Sequence, residues 1–100
     1  MKYIVYVLFS SKLGKRYIGK TSDLKVRIKD HNRGVVPFTR QGCPWKLLYY
    51  EVFLSKKDAA REELFLKSGK GRERLGYLLN GKMRTIDSWV DTEAVKRDRL

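Results

Sequence analysis

Acidic side chains are scarce in this sequence, with 11 aspartates and glutamates against 23 lysines and arginines. The shortfall excludes a surface made for cationic partners and leaves a net charge of +12. Cysteine is nearly missing as well. Cys43 stands alone, so no internal disulfide forms, and a zinc site lacks its usual set of thiolates and imidazoles when His31 is the only histidine. The simplest reading of Cys43 is a small loop residue. Long apolar runs are absent too. The two longest, Tyr3 to Phe9 and Trp45 to Tyr50, are far too short to cross a bilayer, and Lys46 interrupts the second. No membrane is expected as a partner. Lys2 leads directly into Tyr3-Ile4-Val5-Tyr6 without the apolar core and cleavage site of a secretory leader, so the expectation is a cytoplasmic chain that starts at Met1.

What is there is enough for one domain. One hundred residues, 42% of them hydrophobic, support a single core with little surplus surface to hide. The reading is a folded domain over 1–80 and a polar tail over 81–100, partly helical between Ser88 and Lys96 and docked through Trp89. The positive charge is uneven: residues 1–50 hold 11 basic and 2 acidic side chains, so the first half carries +9 of the +12. A field concentrated in this way attracts a phosphate backbone through counterion release. Ribosomal and membrane-surface proteins are also basic, so charge gives the class of partner and not the activity.

β-branched and aromatic residues dominate Lys2 to Phe9, and a second short run, Arg16 to Lys20, follows a Gly-containing loop, which predicts a hairpin. Thr21-Ser22-Asp23 offers N-cap chemistry for a helix from Leu24 to Arg33, with Gly34 as a left-handed stop. Pro37, Gly42 and Pro44 mark the next stretch as a loop, made basic by Arg33 and Arg40. Trp45 to Leu54 is apolar almost throughout and suits a central strand. Ser55-Lys56-Lys57-Asp58 has capping-box spacing ahead of a helix from Ala59 to Ser68. After Gly69-Lys70-Gly71 a short helix, Arg72 to Leu79, is expected to end at Asn80-Gly81. The order β-β-α-β-α-α implies a small α/β (α+β) domain with a three-stranded, mainly antiparallel sheet flanked by helices.

Helical geometry singles out two placements. At 100° per residue, Leu24, Arg27, Ile28 and His31 share the core-facing stripe of the first helix. Long charged groups are rarely buried without a partner, so Arg27 and His31 are expected at the edge of the core, pointing at something. In the following helix Ala59, Ala60, Glu63, Leu64 and Leu66 share a sector, with Glu63 inside it. A carboxylate there suits a divalent cation, which takes oxygen ligands and leaves the rest of its shell to phosphate and water. The competing reading of Glu63 is an ordinary i,i+4 ion pair with Lys67.

The motifs then converge. Ile4-Val5-Tyr6, followed after ten residues by Tyr17-Ile18-Gly19-Lys20, resembles the paired motifs of the GIY-YIG nuclease family, which lie on its first two strands. Arg27-Ile28-Lys29-Asp30-His31 is similar to the Arg-xxx-His signature of that family's first helix, and Arg61 to Gly69 to its glutamate helix, with Glu63 in the metal-binding place. The resemblance covers roughly residues 2–79 and is strongest to small stand-alone bacterial members related to the N-terminal incision domain of the excision-repair protein UvrC. Ile4 replaces the glycine of the first motif, a strand residue without a functional group.

The resemblance implies a metal-dependent endonuclease acting on DNA, in repair or recombination, with one Mg²⁺ or Mn²⁺ held by Glu63. Arg27 would donate to a non-bridging phosphate oxygen. In the family the first-motif tyrosine is the usual base, giving Tyr6 that role and Tyr17 the orientation of water or phosphate. The sequence itself leaves open which phenol does which. A free phenol has a pKa near 10, so the base needs help, for which Lys20 and His31 are the candidates. Arg16, Arg33, Arg40, Lys67, Lys70, Arg72 and Asn80 are the candidate nucleic-acid contacts, and structured or single-stranded DNA is the expected substrate, read with weak sequence specificity. The alternative is a nucleic-acid-binding module that keeps the fold without the catalysis.

Overall fold

The computed structural model describes residues 2–86, with side chains up to Leu79. Strands β1 (Tyr3–Ser10) and β2 (Lys15–Thr21) form the expected hairpin. Helix α1 (Leu24–Asn32), strand β3 (Trp45–Phe53) and helices α2 (Lys56–Lys67) and α3 (Gly69–Ile86) follow in the expected order. Gly14 closes the hairpin at a φ of 66°, a left-handed conformation that glycine adopts without steric cost, and its N–H donates to the Ser10 carbonyl at 2.7 Å.

The sheet is antiparallel throughout, in the order β2-β1-β3. The central strand is therefore β1, and β3, which its apolar run marked as central, lies at an edge. The reason is layering: β3 is covered on both faces, which calls for apolar residues whether or not both sides are hydrogen-bonded. Successive side chains on β1 alternate between two cores. Val5 and Val7 join Tyr49, Ala59, Leu66, Leu75 and Leu79 under α2 and α3. Tyr6 and Leu8 join Trp45 on the other face, with Leu24 and Ile28 of α1 packed against them. Leu66 and Leu75 are fully buried, and each contributes about 1.5–3 kcal/mol relative to exposure.

The helix starts follow the sequence. Asp23 accepts from the Val26 N–H at 3.2 Å to cap α1, and Ser55 accepts from the Asp58 N–H at 3.2 Å to cap α2. Gly34, at a φ of 77°, stands just beyond the end of α1. The third helix departs from expectation at both ends. It begins at Gly69, because the Ser68 hydroxyl accepts from the Gly71 N–H at 3.2 Å, and it continues through Asn80-Gly81 to Ile86. Of the two glycines at its start, Gly71 is there for proximity, while a Cβ on Gly69 would meet nothing within 4 Å. A Cβ on Gly71 would lie 1.8 Å from the Phe65 carbonyl oxygen, so only glycine lets α3 start so close against α2. Leu64, assigned to the buried sector of α2, is instead 70% exposed at its rim. The expected helical turn after Ser88 and the docking of Trp89 lie outside the described residues.

Candidate active site

Tyr6 and Tyr17 come together because Tyr6 stands opposite Gly19 in the β1–β2 register, two residues along from Tyr17 on the same face. Gly19 makes the approach possible. A Cβ there would lie 2.5 Å from the Tyr6 hydroxyl and 3.0 Å from the Tyr17 ring, so the second motif needs its glycine for space. The two rings are 6.3 Å apart, and the Tyr17 ring also meets His31 at 4.9 Å, Phe38 at 5.9 Å and Trp45 at 6.2 Å.

His31 is more deeply placed than expected. It is fully buried, not at the edge of the core, because both ring nitrogens have partners. Nε2 lies 2.9 Å from the Tyr6 hydroxyl and Nδ1 lies 2.7 Å from the Thr39 hydroxyl. Thr39 in turn donates to the Val36 carbonyl at 3.5 Å, leaving its oxygen to accept from His31. With the proton on Nδ1, Nε2 accepts from Tyr6. The Arg27 guanidinium is near enough to act on the charge of the Tyr6 phenol, and it also faces Asp30 at 4.0 Å. A hydrogen-bonded chain thus runs from Tyr6 through His31 and Thr39 to Val36, with Arg27 beside the phenol.

The charges agree with this polarity. Burial, and then the Arg27 cation, hold His31 below its ordinary pKa, so the ring stays neutral at pH 7. Burial raises the Tyr6 phenol to about 12, offset in part by the nearby Arg27 guanidinium. Tyr6 therefore has no standing phenolate at neutral pH. Glu63 also acts on Tyr6, adding negative charge near the phenol.

Glu63 accepts from Lys67 at 2.9 Å, the i,i+4 pair that was its competing reading. Lys67 in turn lines an open groove of about 650 Å³ beside β2, together with Lys15, Arg16, Tyr17, Phe38 and Arg72. Arg16, Lys67 and Arg72 were expected at nucleic acid, and the fold gathers all three here. Lys15 and Phe38 were missed, although Lys15 adjoins Arg16 and Phe38 is an aromatic between turn formers. Nothing in the sequence marks Thr39. Lys20 takes the other direction. It stands opposite Val5, on the sheet face away from both tyrosines, which leaves His31 as the helper at the phenols. Arg33 pairs with Asp30 at 3.1 Å and Arg40 donates to the Gly34 carbonyl at 3.1 Å. Lys70 lines a separate surface between α2 and α3 with Phe65 and Tyr77, and the Asn80 side chain lies outside the described residues.

Among the described residues no three His, Cys, Asp or Glu side chains gather as a metal cluster. A single partly buried carboxylate beside a basic groove fits a hard divalent ion that keeps water and phosphate as ligands. No described helix is long and apolar enough to cross a membrane.

Residues 2–77 match the family model described as the GIY-YIG catalytic domain. A UPF0213 protein of Streptococcus agalactiae is 40% identical over 79 residues, covering 78% of this chain and 89% of the relative. One from Streptococcus pyogenes is 45% identical over 64 residues, covering 62% and 70%. The solution NMR structure of the UPF0213 protein BH0048 from Bacillus halodurans is 36% identical, with a TM-score of 0.50 over 78% of this chain and 85% of that one.

Proposed function

Because this chain belongs to the GIY-YIG catalytic-domain family, we propose that it is a divalent-metal-dependent endonuclease that hydrolyses DNA phosphodiester bonds in repair or recombination. The observation that carries this reading is the hydrogen bond between Tyr6 and a neutral His31, with Arg27, Tyr17 and Glu63 all acting on that phenol next to a basic groove.

Hydrolysis needs an oriented water, a destination for its proton, and neutralisation of the phosphoryl and leaving oxygens. Tyr17 lines the groove and takes the water. Tyr6 is the proton relay. With the His31 proton on Nδ1, the phenol O–H faces Nε2 at 2.9 Å and passes its proton inward while its oxygen receives the proton from the water. A pKa of about 12 rules against a preformed phenolate and favours this transfer through a neutral phenol. Arg27, which faces Asp30 at 4.0 Å, presents its planar fork to a non-bridging oxygen. Lys15, Arg16, Lys67 and Arg72 hold the flanking phosphates. Glu63 is the residue to hold the divalent ion, which when bound supplies Lewis-acid charge at the scissile phosphate and the departing oxygen.

The test is cleavage of labelled duplex, nicked, flapped, branched and single-stranded DNA with Mg²⁺, Mn²⁺ or EDTA. Wild type cuts with either metal, Glu63→Ala does not, and Tyr6→Phe is slowed by about 100-fold or more. Binding without metal-dependent cuts, equal in all three proteins, would leave a nucleic-acid-binding module in place of a nuclease.

A further inference from the structure

Phe38 is the least expected feature of the groove. Its ring is 82% exposed, yet it stands against the Tyr17 ring at 5.9 Å and lines the same groove as Lys15, Arg16, Lys67 and Arg72. A large apolar ring in water is unfavourable, and most side chains of this kind turn inward when the loop allows it. Here the loop does not allow it. The Val36 carbonyl accepts from the N–H groups of Thr39 at 3.1 Å and Arg40 at 3.0 Å, closing a turn with Phe38 near its tip. Thr39, the next residue, is buried and held by His31 at 2.7 Å, while the Trp45 indole donates to its carbonyl at 2.8 Å. Thr39 thus ties the turn to the core, and the ring is presented outward from it.

We propose that Phe38 is a stacking platform for an unpaired nucleobase of the substrate strand, next to the phosphate that Tyr17 and Arg27 engage. The proposal rests on the nucleic-acid reading of the groove and names its substrate class as DNA with at least one unstacked base at the cut. The cationic residues select a polyanion, and a flat apolar ring beside them matches the one flat apolar surface a polyanionic strand offers. In a duplex that face is covered by its neighbours. The platform therefore favours single-stranded, flapped or distorted DNA without reading sequence, since every base has a stacking face. The same turn carries Thr39, the end of the chain that polarises Tyr6, so occupancy of the platform bears directly on the loop that braces the chemistry.

The experiment is fluorescence anisotropy with the full chain in EDTA, using a 12-nucleotide oligothymidine, the same strand with abasic sugars throughout, and a 12-base-pair duplex. Wild type is expected to bind the thymidine strand roughly ten- to hundredfold more tightly than the abasic one. In Phe38→Ala the two affinities converge while the duplex affinity is unchanged, and in Phe38→Trp the preference returns. The ring lies in solvent, so the alanine variant keeps its thermal midpoint. A preference that survives in Phe38→Ala overturns the proposal, and so does an equal loss on all three DNAs. Cleavage plays no part in the readout. A protein with no nuclease activity but a Phe38-dependent base preference supports the platform and removes only the catalytic reading.

Discussion

With its proton on Nδ1 and Thr39 accepting it there, His31 is set to accept from Tyr6 through Nε2. Protonation of Nε2 would reverse the bond from Tyr6 and set a second cation beside Arg27. Burial holds the folded-state pKa below the ordinary 6.5, so between those two values the unfolded chain binds more protons than the folded one. Stability is therefore full above pH 6.5 and falls as pH drops through the folded-state value. Thermal melts from pH 8 to pH 5 should show that decline, and cleavage rates should decline over the same range. In His31→Gln the part due to this residue should vanish, on a lower overall midpoint. A decline of equal size in that variant would remove His31 as its cause. Much of this residue-scale picture was legible in advance. Motif spacing singled out Tyr6, Tyr17, Arg27, His31 and Glu63, and helical periodicity placed Arg27 and His31 on the core side. What the sequence did not carry was Thr39, whose role depends on a loop closing over the histidine eight residues away. Lys20 misled for the opposite reason: a residue adjacent in a motif is on the other face of a strand one step later.

At the scale of elements, the strands and the first two helices are where alternation and capping residues place them, to within a few residues. The third helix is the exception, because glycine has two uses that look alike in one dimension. Gly71 is present for close approach, and Gly76 meets nothing within 4 Å of a Cβ position. The two should respond oppositely to the same change. Gly76→Ala removes backbone entropy from the unfolded chain and should raise stability by about 1 kcal/mol, or some 4–8 °C in thermal midpoint. Gly71→Ala should lower stability by about 3 kcal/mol as α3 is pushed from the Phe65 carbonyl. Equal shifts of the same sign would mean that α3 does not start tightly against α2.

For the whole molecule, the uneven charge of the sequence takes a spatial form in the groove beside β2. Each lysine or arginine that neutralises a phosphate should add about 0.9 to the slope of log affinity against log salt on duplex DNA. A variant with Lys15, Arg16 and Arg72 all changed to alanine should lose about 2.7 of that slope. Lys70→Ala, on the separate surface between α2 and α3, should leave it unaltered. Anisotropy titrations between 50 and 300 mM salt, on the order of the usual working range, would measure both. An equal drop in the two proteins would assign the charge effect to overall attraction and not to the groove.

The position of β2 at the rim of the sheet has one more consequence. A strand with no neighbour on its outer side is a template on which another extended chain can hydrogen-bond, and small sheets are prone to polymerise in that way. Along β2 the side chains include Lys15, Arg16 and Lys20. A second copy laid alongside would bring like charges together, so the cations proposed to draw in a polyanion would also oppose pairing between copies along this edge.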